Sequence, residues 1–338
     1  MKTKIHAICL AAALSIASAW PVFAQNLKLI LVYPAPANSD GAKFFDEWAR
    51  KVEADSGNAV TIETKFGVAL ANFSNMVDRV ENDVVQIGVT IQALYRGKFE
   101  LTQVVSVPFV VDLDDVDQAS AALWRLYKTG LLDSEYQSIV PLFWGVSKQS
   151  GFHFAQPPKS IDQLNGLKIR IFSDTQIDMV KSFGMQPLSL PPQDMYVGLQ
   201  RGTLDAVITS WSSFPPYKLQ EVTKYHLELP LGGSVLMAFM ARKKYESLPA
   251  QVRNAIDKNS GEIRSRAYGK SLAADAEEAR KAAAAQGNTI TQLTPEKFAE
   301  WKQKIGTPMI QKWETANPNA SKVLETFNKL YADVKAGR

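Results

Sequence analysis

Asp162-Gln-Leu-Asn-Gly-Leu-Lys-Ile-Arg-Ile-Phe172 sets a single arginine inside an apolar strand. From Leu167 onward apolar and basic side chains alternate, so Leu167, Ile169 and Ile171 share one face and Lys168, Arg170 and Phe172 share the other. Arg170 therefore points away from the aliphatic face. One reading is a solvated strand end or surface ion pair, the commoner fate of an arginine. The other is a carboxylate clamp, because a guanidinium offers a planar fork of donors and keeps its charge at any accessible pH. This stretch alone does not choose between them.

Downstream, 174–183 reads as helix, 186–190 as a short strand ended by Pro191-Pro192, 194–201 as helix and 204–209 as strand, with Trp211 just past its end. Arg170 and Trp211 then both stand near the carboxyl ends of strands in one α/β unit, where open α/β sheets bind ligands. Trp211 lies among Ser210, Ser212 and Ser213. An indole amid serines at a strand end fits a pocket wall as well as a buried core position, and both readings stay open.

Upstream, 27–33, 59–66 and 84–90 read as strands separated by helices over 41–55 and 72–81, an alternation that means a βαβ-type sheet. A helix from about 116 to 128 follows the acidic group Asp112, Asp114, Asp115 and Asp117. That group lacks the glycine and terminal glutamate of a calcium loop and reads as a helix N-terminus. Strands at 139–146 and 149–154 come next with no Gly-, Ser- or Pro-rich tether, so any domain boundary must be crossed by the strands themselves. After 225–229 and the wholly apolar 234–241, a helix is expected over 249–286, with Val252, Ile256, Ile263 and Ala267 on its apolar side and Gly287 ending it. Nearly forty residues would carry it across two domains. Thr294-Pro295 starts a final helical region with Phe298, Trp301, Ile305 and Trp313.

The 338 residues exceed what one compact core usually supports, which favours two domains, and 46% hydrophobic residues suffices for both. Lys2 and Lys4, the apolar run 7–19 and Val22-Phe-Ala24 read as a secretory leader cleaved after Ala24, giving an exported protein. Cys9, the single cysteine, leaves with it, so neither disulfides nor a thiolate site is expected. Without Lys2 and Lys4 the net charge falls from +4 to about +2, and nothing resembles a basic nucleic-acid surface.

Chemistry is sparse. Past the leader only His153 and His226 remain, both in strand-like segments, and both read as hydrogen-bonded structural residues. There is no H-E-x-x-H, no G-x-S-x-G and no glycine-rich phosphate loop. No catalytic residue, metal or cofactor is expected, and binding is favoured over catalysis.

As a set, certain motifs resemble the periplasmic solute receptors of TRAP (tripartite ATP-independent periplasmic) transporters, the DctP-like family. They are Asp83-Val-Val-Gln-Ile-Gly88, Arg96-Gly-Lys-Phe-Glu-Leu101 leading to Val107-Pro-Phe109, Gly166-Leu-Lys-Ile-Arg170, Leu199-Gln-Arg-Gly-Thr-Leu-Asp205, and Trp211 followed by Pro215-Pro-Tyr-Lys-Leu-Gln-Glu221. The resemblance implies an α/β, two-domain periplasmic binding protein with mixed sheets flanked by helices. Its domains would be discontinuous, 25–147 with 236–270 and 148–235 with 271–338, and the long helix would span both. It also implies a monomer in the periplasm that closes on an organic acid, grips the carboxylate with Arg170 and passes it to a membrane permease. Two departures bear on the ligand. Many relatives that bind sialate or C4-dicarboxylates carry a second arginine where this chain has Ser150, and Thr209-Ser210-Trp211 stands where they often have Asn. The expected ligand is therefore a monocarboxylate with an apolar or aromatic body lying on Trp211 and Phe172, with Ser150, Ser173, Thr209 and Ser210 as hydroxyl partners. A periplasmic enzyme on a small organic acid, using Asp174, Asp194 or His153 as base, a receptor feeding a sensor kinase, and an ATP-driven importer's receptor are the rival readings.

Overall fold

The computed structural model describes residues 27–338 except 110, 112, 114 and 162. The leader with Cys9 and the cleavage point after Ala24, as well as Asp112, Asp114 and the side chain of Asp174, lie outside the described residues. In chain order the strands are β1 (Leu27–Tyr33), β2 (Val60–Phe66), β3 (Ile87–Ile91), β4 (Ile139–Val146), β5 (Gly151–Phe154), β6 (Lys168–Ile171), β7 (Gln186–Ser189), β8 (Ala206–Thr209), β9 (Tyr225–Glu228), β10 (Val235–Ala241) and β11 (Thr289–Gln292). They form two sheets, in the orders β2-β1-β3-β10-β4 and β11-β9-β5-β8-β6-β7.

The first sheet begins as expected, with β1 parallel to both β2 and β3. Its mixed character comes from β10, which returns after the chain has built most of the second sheet and inserts antiparallel between β3 and β4. A strand flanked on both sides and covered on both faces must be apolar throughout, and Val235–Ala241 is buried at every position. Helix Asp40–Asp55 starts at Ser39, whose hydroxyl accepts from the Ala42 amide at 3.2 Å. It buries Phe45 and Trp48 against Phe143 of β4, ring centroids 5.9 and 5.8 Å away. In the second sheet β5 lies antiparallel between β8 and β9, and β6 runs parallel to β7 and β8.

The helix expected over 249–286 is two helices, Ala250–Lys258 and Gly261–Ala285. Ser260 between them is extended (φ −118°, ψ −163°) and Gly261 takes φ +79°, a left-handed value that glycine adopts without steric cost. The break resets the helical phase. Val252 and Ile256 stay buried, while Ile263, expected on the same apolar stripe, is 86% exposed. Of these two, it is the second helix that packs against both sheets. Tyr268 packs on Phe44 and Phe45 beside the first sheet, and Ala276, Ala279 and Ala283 lie with Trp211 and Phe214 beside the second. Helix Ala320–Lys335 was expected with the second domain. Its Val323, Phe327 and Val334 instead share a core with Ala119 and Leu123 of helix Val116–Lys128, next to the first sheet.

Candidate functional site

Arg170 is 2% exposed, which removes the solvated reading. Alternation turned it off the aliphatic face, but that side of β6 is roofed by the loop after β7 and by β8. Nε donates to the Leu190 carbonyl at 2.8 Å and Nη1 to the Ile208 carbonyl at 3.0 Å. Nη2 is buried without a partner, and no described residue forms an ion pair with the group. Burial draws the guanidinium down to about 10, still charged at neutral pH. The structure thus holds a buried cation beside a cavity, two of its nitrogens tied to backbone carbonyls and the third buried without a partner, and no acidic side chain lines that cavity. Such a charge is costly unless an anion joins it.

The cavity measures about 50 Å³ and is lined from both sheets. Arg170, Phe172, Thr209 and Ser210 come from the ends of β6 and β8, and Tyr33, Ile91 and Leu236 from β1, β3 and β10. Tyr217 closes one side. No aspartate, glutamate or histidine is among the lining residues described, so nothing there resembles a general base. Burial raises the Tyr33 phenol to about 12 and lifts Tyr217 further above its ordinary value, so both present neutral hydroxyls. Pro216 and Tyr217 also line an outer pocket of about 450 Å³ with Pro34, Pro36 and Tyr196. Pro216 and Tyr217 thus border both spaces.

Of the seven residues expected to meet a ligand, four, Arg170, Phe172, Thr209 and Ser210, line this cavity, and three lie elsewhere. The Ser173 hydroxyl donates to Gln103 Oε1 at 2.9 Å, tying the segment after β6 to the 3-10 turn Thr102–Ser106 beside the first sheet. Ser150 and Trp211 border a separate groove behind the cavity. Trp211 is 6% exposed, and its Nε1 donates to Glu228 Oε1 at 3.0 Å. Its ring sits 4.9 Å from His153 and 4.4 Å from Phe214. β8 ends at Thr209 and a 3-10 turn begins at Trp211, so Ser210, Ser212 and Ser213 line the cavity while the indole packs on His153 and Phe214. His153 and His226 bond to each other at 2.9 Å, as two structural histidines would. Sequence reading missed Tyr33 and Tyr217. Tyr33 ends β1, and the strand-end rule applied to Arg170 would have found it. Tyr217 follows Pro215-Pro216, and only its tertiary neighbours single it out. Among the described residues no cluster of three side chains could hold a metal ion.

Two mixed α/β units joined by crossing strands, enclosing at their strand ends a cavity lined by Arg170, have the architecture of a bilobal binding protein. The chain belongs to the bacterial extracellular solute-binding proteins of family 7, DctP, whose model matches residues 31–316. It is 28% identical over 320 residues to the C4-dicarboxylate-binding periplasmic protein DctP of Rhodobacter capsulatus, covering 88% of this chain and 90% of that one. Two solved structures share the fold. A TRAP solute-binding protein from a marine metagenome, specific for aromatic acid ligands and holding metahydroxyphenylacetate, superimposes with TM-score 0.84 at 24% identity over 91% of this chain and 99% of its own. One from Rhodoferax ferrireducens, in complex with copurified benzoate, has TM-score 0.84 at 24% identity over 92% and 99%. The expected fold class, two mixed sheets flanked by helices, is therefore the observed one.

Proposed function

We propose that this chain is the extracytoplasmic receptor of a TRAP-type transporter, that it captures a monocarboxylate with an apolar or aromatic body, and that it delivers the acid to a membrane permease without altering it. The observation that carries the reading is Arg170, which lines the cavity and keeps one buried guanidinium nitrogen, Nη2, without a partner. A carboxylate there satisfies the nitrogen and neutralises the charge together.

The space available argues for where the body of the ligand lies. A cavity of about 150 Å³ accommodates benzene, and the inner cavity is about 50 Å³. It suits the carboxylate, with Tyr33, Tyr217 and the hydroxyls of Thr209 and Ser210 around it, whereas a ring needs Tyr217 to yield toward the outer pocket. Opening of the two lobes about the crossings after β4 and before β10 gives the ligand access, and the Ser173–Gln103 bond spans them when closed. The lobes would be residues 25–147 with 236–270, and 148–235 with 271–338 less the last helix. The aromatic acids held by the two structural neighbours are in keeping with this ligand class.

Thermal-shift screening against mono- and dicarboxylates tests it, since a ligand that binds only the folded form raises the melting temperature. Stabilisation by benzoate or 3-hydroxybenzoate but not succinate is expected. Stabilisation by succinate alone overturns the ligand class, and turnover of the bound acid overturns the receptor reading.

A further inference from the structure

Behind the cavity the second sheet aligns four residues in one transverse row. His226 pairs with His153 across β9 and β5, His153 with Val207 across β5 and β8, and Val207 with Arg170 across β8 and β6. Residues paired directly project from the same face, so both imidazoles share a face with the guanidinium. The hydrogen bonds then assign the tautomers. Thr209 O can only accept, so His153 Nε2, 3.1 Å away, carries a proton. In a neutral ring Nδ1 is then an acceptor, and His226 Nδ1, at 2.9 Å, must be the donor. That leaves His226 Nε2 to accept from Asn288 Nδ2 at 3.2 Å. Every ring nitrogen is used, in one arrangement, with both rings neutral.

The chain ends on the carbonyl of Thr209, and the preceding carbonyl, Ile208, receives Arg170 Nη1. Consecutive carbonyls of a strand face opposite neighbours, and here Arg170 holds one from the β6 side while His153 holds the other from the β5 side. Thr209 and Ser210, which line the cavity, begin at that point.

We propose that His153 and His226 are positioning residues of the ligand site: as a neutral bonded pair they hold the exit of β8, and with it Thr209, Ser210 and the carbonyl that orients Arg170, and acidification releases that hold. What is held does not depend on the carboxylate reading; the consequence for affinity rests on it. A further proton has to enter at His153 Nδ1 or His226 Nε2, each already receiving a hydrogen bond, so protonation sets two donors against each other. Desolvation works in the same direction. Burial takes His153 well below the ordinary imidazole range and His226 down to about 4. Of the charged groups near the pair, Glu228 on β9 favours a charge on His226 and Lys224 opposes it. Glu228 is itself engaged by Arg280 of the crossing helix at 2.6 Å and by Trp211. Trp211 and Phe214 supply the apolar walls, 4.6 and 5.6 Å from the His226 ring. Because the folded values lie below the unfolded one of about 6.5, the pair's contribution is present above that pH and is lost as pH falls from there toward about 4.

Hydrogen exchange on the full chain at pH 7.5 and pH 4.5, corrected for intrinsic rates, tests this through the peptide covering 206–214. In wild type its protection should drop at least tenfold at the lower pH. His153→Leu should show the low protection at both values. His153→Gln, which keeps a donor for Thr209 O and does not titrate, should retain most of the protection at both. Equal protection in wild type and His153→Leu, or no pH dependence in wild type, overturns the proposal, as does a loss spread evenly over both sheets. If His153→Leu does not fold, ring-nitrogen NMR of wild type decides, with the proton on Nε2 of His153 and Nδ1 of His226 expected and the opposite tautomers overturning it. Benzoate affinity should follow the same order as protection. Failure of benzoate to bind wild type counts against the ligand class alone, and the exchange arm still decides the histidines.

Discussion

Replacing Arg170 with methionine separates what the guanidinium does for the ligand from what it does for the fold. The substitution removes the donors for the Leu190 and Ile208 carbonyls. A buried acceptor left unpaired costs about 1–3 kcal/mol, so the two together cost roughly 2–6 kcal/mol. Against this, the wild-type protein carries a cation that is 2% exposed and has no ion-pair partner among the described residues. Desolvating such a charge costs several kcal/mol even after relaxation, and methionine, flexible and apolar, fills the volume without that cost. The two effects oppose each other at similar size. Urea unfolding of ligand-free protein should therefore place Arg170→Met within about 2 kcal/mol of wild type, while the ligand-induced rise in melting temperature disappears. A loss above about 4 kcal/mol with the ligand shift intact would mean that the guanidinium is a framework donor and that the ligand's charge is met elsewhere.

Tyr217→Ala truncates the larger of the two side chains that border both the inner and the outer space, so by thermal shift it should weaken binding of acetate or lactate and leave bulky aromatic acids bound as well or better; uniform loss across sizes would mean that Tyr217 is a direct contact for every ligand. Ser173→Ala deletes the 2.9 Å bond to Gln103, worth about 1 kcal/mol, which should raise the calorimetric Kd about fivefold if the bond favours the closed form. An unchanged Kd would remove it from closure. Trp211→Phe should cost roughly 1 kcal/mol in unfolding through the lost bond to Glu228 and leave affinity untouched, and a drop in affinity would put the indole back in the pocket.

The features of the site that sequence could show were those set by one strand's own period. The alternation through Lys168–Ile171 placed Arg170 off the aliphatic face correctly, and the strand Ala206–Thr209 brought Thr209 and Ser210 to the same crevice. What turns an exposed face into a buried one is tertiary: the loop at Leu190 and the neighbouring strand cover Arg170, and neither contact has a local signature. Trp211 was ambiguous because the strand period stops at Thr209, two residues before it. Ser260-Gly261 breaks a helix whose flanking apolar residues remain at helical spacing, so the periodicity ran through the break unnoticed. The place of β10 in the first sheet depends on pairing with β3 and β4 across long stretches of chain, which no window of sequence contains.

The proposed function stands or falls on Arg170 holding the ligand's carboxylate. Calorimetric titration of wild type and Arg170→Gln with whichever acid gives the largest thermal shift tests it most directly. Removing one partner of a buried charge pair costs about 2–5 kcal/mol, so one-to-one binding to wild type and a loss of more than about tenfold in the variant are expected. Equal affinity for the two proteins, with the variant folded, would contradict it.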